Sequence, residues 1–305
     1  MSLKRRDFVK LCAGTMAGLG ISQLFHPGLL KAMEGAAKNT PVIWIQGQGC
    51  TGCSVSLLNT VHPSIKEVLL KIISLEYHPT VMASEGELAL EHMFEIAEQY
   101  KGKFFLAVEG AIPKAANGMY CIVGEMEGKE LTMLELVTQL GKKAAATVAL
   151  GACACYNAGI PGAEGNLTEA SSVKAIFEEE GIATPVVNVP GCPPHPDWMV
   201  GTIAHVLLYG VPELDDNGRP KLFYGLNIHE NCPYRGYYES GTMSPVFTQK
   251  QGCRYELGCK GPVANADCWK RKWNNGVNWC VENAVCIGCV EPGFPDDMSP
   301  FYEAM

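Results

Sequence analysis

Charge is scarce in this chain. Of 305 residues only 18% are Asp, Glu, Lys or Arg, and the formal net charge is −8. That acidic balance argues against nucleic-acid binding, which favours clustered Lys and Arg. No internal repeat and no low-complexity tract occurs, and the composition is globular, with 47% hydrophobic residues. Long apolar runs are absent too. The stretch 11–25 is too short and too glycine-rich for a membrane span, and no apolar helix follows Phe301-Tyr-Glu-Ala-Met305. The bacterial ferredoxin run Cys-x2-Cys-x2-Cys-x3-Cys-Pro is also missing, so this is no simple ferredoxin. What the chain has in abundance is cysteine. There are fourteen, and seven of them fall in the last 75 residues.

The N-terminus carries an address. Lys4-Arg-Arg-Asp-Phe-Val-Lys10, followed by the apolar, small-residue stretch 11–25, resembles a twin-arginine signal, with Lys4 where Ser or Thr is more usual. We expect a signal peptide over residues 1–36, export to the periplasm, and no lipid on Cys12, which lacks the small residue a lipoprotein site places before its cysteine. Export would permit disulfides. The twin-arginine route, however, serves proteins that fold and take up cofactors before leaving the cytoplasm. Disulfide frameworks, moreover, belong mainly to small domains without a sufficient core, and 305 residues bury an ample one.

Residues 41–210 alternate between two periods. Short apolar runs at Pro41–Gln46, Lys103–Val108, Ala146–Leu150 and Pro185–Val189 read as strands. Helical patterns at Ile65–Leu75, Glu85–Tyr100, Met133–Leu140 and Ser172–Glu180 lie between them. This predicts an α/β domain around a mostly parallel sheet. Asp215-Asp-Asn-Gly-Arg-Pro220 reads as a turn-rich connector. Beyond it the periodicity is poor and Gly, Pro, Asn and Trp are frequent, a texture that calls for bound cross-links to order it. The expected organisation is 37–215 for the α/β domain and 216–305 for an irregular one.

The cysteines map onto this plan. Cys50 and Cys53 follow the first strand, Cys153 follows the third quoted strand and Cys192 the fourth. All four lie just past carboxyl ends of strands, where parallel sheets present their ligand loops, so one four-ligand site is the natural inference. In the tail stand His229-x2-Cys232, Cys253-x5-Cys259, Cys268-x11-Cys280 and Cys286-x2-Cys289. Three four-iron clusters need twelve ligands, and His229 with eleven cysteines supplies them, leaving Cys12, Cys121 and Cys155 over. Sequence does not pair ligands. Zinc is the rival, since Cys286-x2-Cys289 fits a zinc knuckle, and a zinc-stapled interaction module without redox activity is the alternative function. His62, His195 and His205 read as structural or exposed, the five tryptophans as packing, and Glu109-Gly-Ala-Ile-Pro113 as a strand-ending turn.

Several of these segments together resemble the small subunit of nickel–iron hydrogenases. They are Gly47-Gln-Gly-Cys-Thr-Gly-Cys-Ser-Val-Ser-Leu-Leu-Asn59, Pro190-Gly-Cys-Pro-Pro-His-Pro196, His229-Glu-Asn-Cys-Pro233, Gly252-Cys-Arg-Tyr-Glu-Leu-Gly-Cys-Lys-Gly-Pro262 and Cys286-Ile-Gly-Cys289. The likeness runs from about residue 41 to 300. It implies a flavodoxin-like domain followed by an irregular, cluster-stapled one, with three iron–sulfur clusters in a row carrying electrons. It also implies a large-subunit partner, which bears the nickel–iron centre and cleaves hydrogen, and an external acceptor such as a multihaem cytochrome c. By the same resemblance, the proximal 4Fe–4S cluster takes Cys50, Cys53, Cys153 and Cys192. The distal takes His229, Cys232, Cys253 and Cys259, and the medial takes Cys268, Cys286 and Cys289.

The chain departs from the common family pattern in three places. Trp279-Cys280 stands where that pattern has Trp-Pro, so Cys280 is expected as a fourth medial ligand, giving a third 4Fe–4S cluster, as in the nickel–iron–selenium branch. Gly151-Ala-Cys-Ala-Cys155 holds one extra residue, which makes Cys155 a competitor of Cys153. The two supernumerary cysteines of oxygen-tolerant members correspond to Gly52 and Ala158, which predicts an ordinary four-cysteine inner cluster. A cluster-carrying subunit of a related respiratory complex shares the α/β domain, but the cysteine-rich tail with His229 argues against it. No nickel-binding cysteine pairs occur in this chain. The expectation is an electron-transfer subunit of a soluble periplasmic complex with no membrane anchor of its own.

Overall fold

Pro41–Gln46 (β1) is apolar along nearly its whole length because both of its faces are covered. In the computed structural model, which describes residues 41–156 and 158–303, it lies inside a five-stranded parallel sheet. The other strands are Ser74–Tyr77 (β2), Phe105–Glu109 (β3), Ala146–Leu150 (β4) and Val186–Val189 (β5). Their spatial order is β2-β1-β3-β4-β5, the flavodoxin-like order. The signal expected over 1–36 lies outside the described residues.

Side chains alternate across the sheet as the pleat requires. Val42, Trp44, Ala107, Val148 and Leu150 face one side, and Ile43, Ile45, Leu106, Val108 and Ala149 the other. On the second side pack the helices Gly86–Gln99 (α2), Met133–Gly141 (α3) and Val173–Glu179 (α5). On the first side lie Gly52–Leu58 (α1) and Pro196–Tyr209 (α6), together with much of the C-terminal chain. The short helix Ala152–Cys155 (α4) follows β4 directly. Helix starts are set locally. Thr132 and Glu135 form a capping box on α3, and the Ser172 hydroxyl caps α5.

The expected helix 65–75 is shorter than its pattern. It changes from α to π winding at Val68 and ends by Ile72, and Ser74–Tyr77 leaves it as edge strand β2. The four residues Ser-Leu-Glu-Tyr are too few to separate strand from helix by pattern, and here pairing with β1 decides. Strand β3 starts and ends slightly later than its pattern, carrying Glu109 into the sheet.

After α6 the described helices are four or five residues at most, joined by turns. The connector 215–220 lies along the β5 edge, where the Asn188 amide donates to Gly218 O at 2.9 Å and its side chain to Asn217 O at 2.9 Å. Buried Arg219 then ties Asp215 (2.7 Å) to Glu291 (2.9 Å). Arg271 bridges Asp267 and Asp197, while the Trp198 indole donates to Asp267 at 2.7 Å. One apolar core therefore runs from the sheet through Phe223, Tyr224 and Ile228 to Trp279 and Val290.

Candidate metal centres on a thiol-lined path

All thirteen cysteines of the described residues are free thiols. The first group gathers at the carboxyl ends of β1, β4 and β5, the rim at which such sheets bind ligands. Burial pushes the Cys53 thiol well up, with the Glu109 charge and the nearby Cys153, Cys155 and Cys192 adding to the effect. Cys153 is pushed up to about 11, first by burial and then by Cys192, and Cys50 also faces it. Cys192 is raised by burial and by Cys50. Cys53, Cys153 and Cys192 therefore stay protonated in a bare protein, and ionising them together needs a compensating positive charge. Their thiolates are what a positively charged metal group stabilises.

Backbone shape makes room for them. Gly151 has φ of +84° and ψ of 160°, and a Cβ there would sit 2.4 Å from the Cys53 sulfur. Only glycine tolerates both conditions. Cys155 points elsewhere. It is 1% exposed, packs in the core on the far side of the sheet and donates to Ala149 O at 3.4 Å. Cys121 packs against that core too.

Glu109 is more than the end of a strand. Its buried carboxylate accepts from the backbone N–H groups of Cys53 (3.0 Å) and Ser54 (3.2 Å), the first turn of α1, which has no side-chain cap of its own. It also accepts from the Ser54 hydroxyl (2.5 Å), Trp44 Nε1 (3.1 Å) and Gln46 Nε2 (3.1 Å). Behind it, His78 Nε2 stands 3.1 Å from the Ser54 hydroxyl, and Nδ1 accepts from the Thr80 N–H at 3.2 Å. The proton therefore sits on Nε2, and burial holds the imidazole neutral by lowering its pKa. From spacing alone Glu109-Gly-Ala-Ile-Pro113 reads as a strand-ending turn, so the capping role of its carboxylate is not legible there.

A second group surrounds a cavity of about 270 Å³ lined by Cys268, Cys280, Cys286 and Cys289, with Cys192 of the first group at its edge. Burial raises Cys268 well above an ordinary thiol, and Cys280 and Cys289 add to this. Cys289 is pushed up to about 12 by burial, partly countered by the Cys192 backbone. Cys280 and Cys286 share a hydrogen bond that favours the thiolate of Cys280 over that of Cys286. Trp279 and Trp273 line the same cavity.

In the third group, burial pushes Cys232 up to about 11, opposed by the Tyr234 N–H, which donates to its sulfur at 3.3 Å. Cys253 and Cys259 face it, as does Cys280 of the second group. Gly261 lies between Cys259 and His229, 3.4 Å and 3.8 Å from the place of a Cβ. His229 is half-buried, edge-on to Tyr238 at 4.6 Å, and kept neutral by burial and by Arg235. The three groups thus adjoin in series, through Cys192 and Cys289 and then through Cys280 and Cys232.

No helix among the described residues is long and apolar enough to cross a membrane. Residues 224–302 match the C-terminal family of the NiFe/NiFeSe hydrogenase small subunit, and residues 50–206 match the family "NADH ubiquinone oxidoreductase, 20 Kd subunit". The chain is 64% identical to the periplasmic [NiFeSe] hydrogenase small subunit of Desulfomicrobium baculatum over 316 aligned residues, covering all of both. It is 39% identical to the periplasmic [NiFe] hydrogenase small subunit of Solidesulfovibrio fructosivorans, covering 99% of this chain and 93% of that one. A crystal structure of a reduced, active Ni-Fe-Se hydrogenase from Desulfomicrobium baculatum superposes with a TM-score of 0.84 at 64% identity, over 87% of this chain and 99% of that one. With both halves matched and a relative aligned from end to end, the chain belongs to the small-subunit family of NiFe and NiFeSe hydrogenases, on the NiFeSe side.

Proposed function

We propose that this chain is the electron-relay subunit of a periplasmic hydrogenase and holds three 4Fe–4S clusters in series. Cys50, Cys53, Cys153 and Cys192 hold the proximal one, Cys268, Cys280, Cys286 and Cys289 the medial one, and His229, Cys232, Cys253 and Cys259 the distal one. The observation that carries this reading is the 270 Å³ cavity lined by all four medial cysteines, Cys280 included. When bound, the clusters supply one-electron carriers between the partner's nickel–iron centre, where hydrogen yields two protons and two electrons, and an external acceptor.

The residues of this chain do the rest. Cys153 meets Cys50 and Cys192, whereas Cys155 is turned into the core, which favours Cys153 as the proximal ligand. Cys50 and Cys192 are exposed, and the neighbouring Gly52 and Pro193 line a cleft with exposed Val55 and Val61, an apolar surface for a large-subunit partner. Half-buried His229 lies at the other end of the series, with Tyr238 and Arg235 beside it, and suits exit to a multihaem cytochrome c. Export by the twin-arginine route rests on Lys4-Arg-Arg-Asp-Phe8 and the apolar stretch after it. Among the described residues no three His, Cys, Asp or Glu side chains stand close enough to hold a single metal ion.

Cys280→Pro tests the medial assignment. It should leave three thiols and give a three-iron electron paramagnetic resonance signal in the oxidised two-subunit enzyme. An unchanged spectrum would remove Cys280 from the ligand set.

A further inference from the structure

Five buried side-chain polar atoms among the described residues have no hydrogen-bond partner, and of these only Trp279 Nε1 belongs to a residue lining the medial cavity. A buried indole N–H without an acceptor is costly, and native proteins rarely leave one so. Trp279 is 1% exposed, so bulk water does not reach it. Its ring is fixed by near-parallel stacking on Tyr234, with centroids 6.4 Å apart and an interplanar angle of 11°. Tyr234 in turn is anchored by its N–H on the Cys232 sulfur. Trp279 and Cys268 line the same cavity, and the indole lies near enough to favour the Cys268 thiolate while making no hydrogen bond of ordinary geometry to it.

We propose that Trp279 Nε1 donates a hydrogen bond to the Cys268 sulfur when the medial 4Fe–4S cluster is bound, and so raises that cluster's reduction potential. This rests on the medial assignment above. A thiolate ligand of a metal cluster carries more negative charge than a thiol, so it accepts more strongly and draws the donor in. Reduction adds a further electron to the cluster and its sulfurs, and the N–H stabilises that state more than the oxidised one. The residue thereby offsets part of what a fourth thiolate does, since Cys280 adds negative charge and lowers the potential. Trp279 and Cys280, adjacent in sequence, act on one centre in opposite senses.

Trp279→Phe in the intact two-subunit enzyme keeps an aromatic ring against Tyr234 and removes the N–H. The medial potential, read by redox titration under electron paramagnetic resonance, should fall by the equivalent of about tenfold in the one-electron equilibrium, ~59 mV. Iron content and the 4Fe–4S spectrum should stay as in the parent. An unchanged potential with the cluster intact would overturn the inference. Should the variant fail to assemble, parent enzyme grown with indole-15N tryptophan provides the second measurement. Pulsed resonance on the reduced medial cluster should show an indole-nitrogen coupling, and its absence sinks the proposal. The medial assignment fails separately, in the parent spectrum, by showing a three-iron signal before any variant is made.

Discussion

Glu109 and His78 show how much of the site is held from behind. A carboxylate on β3 caps the helix that carries Cys53, and a neutral histidine steadies the serine between them. Burial keeps His78 below the ordinary histidine pKa, against the pull of the Glu109 charge, the group that faces it. Unfolding exposes the ring, so the unfolded chain takes up a proton as pH falls through about 6.5 while the folded chain resists. Its contribution is complete above that pH and is lost as pH drops toward the lower folded value. His78→Gln should therefore flatten the fall of the urea midpoint as pH drops below about 6.5. An equal slope in both proteins would mean that the ring titrates alike folded and unfolded.

At the scale of elements, the parallel sheet does the placing. Strands β1, β3, β4 and β5 end together; β3 ends in Glu109, and the segments that leave the others deliver Cys50, Cys53, Cys153 and Cys192 to the same rim. Such loops work only where the backbone can turn tightly. Gly151→Ala would force a Cβ to within 2.4 Å of the Cys53 sulfur and a residue into a region that costs about 1–3 kcal/mol outside glycine. We expect loss of the proximal cluster, about one third of the iron by elemental analysis. Gly165→Ala is the control, since its φ is +92° but nothing lies within 4 Å of the added carbon. It should lower the melting temperature and leave the iron unchanged. Iron retained in Gly151→Ala would separate the glycine from cluster assembly.

Over the whole molecule, the irregular C-terminal chain borrows order from the sheet and from buried ion pairs. Arg219, 3% exposed, links the connector through Asp215 to Glu291, which also accepts from the Asn265 N–H at 2.6 Å. Arg219→Met should cost about 3–5 kcal/mol, because two carboxylates lose their buried cation. Thermal unfolding of Arg219→Met, of Glu291→Gln and of the double variant measures the coupling. Strictly additive losses would show that the pair does not join the two segments.

How much of the molecule is legible in its sequence depends on the kind of signal. Apolar runs and helical periods locate the strands β1, β3, β4 and β5 because both faces of a central strand must be apolar. Strand β2 is hidden, since Ser74–Tyr77 continues a helical pattern and only its pairing to β1 makes it extended. Cysteine spacing and motif context determine, from sequence alone, that this is a metal-holding chain of the hydrogenase small-subunit kind. Sequence leaves Cys153 and Cys155 as competitors two residues apart. A short helix turns one toward Cys192 and the other into the core. Glu109 and the unpaired indole of Trp279 likewise become visible only in three dimensions. Spacing along a chain states which groups are available. Which of them share a cavity, and what stands behind them, is decided by packing between segments far apart in sequence.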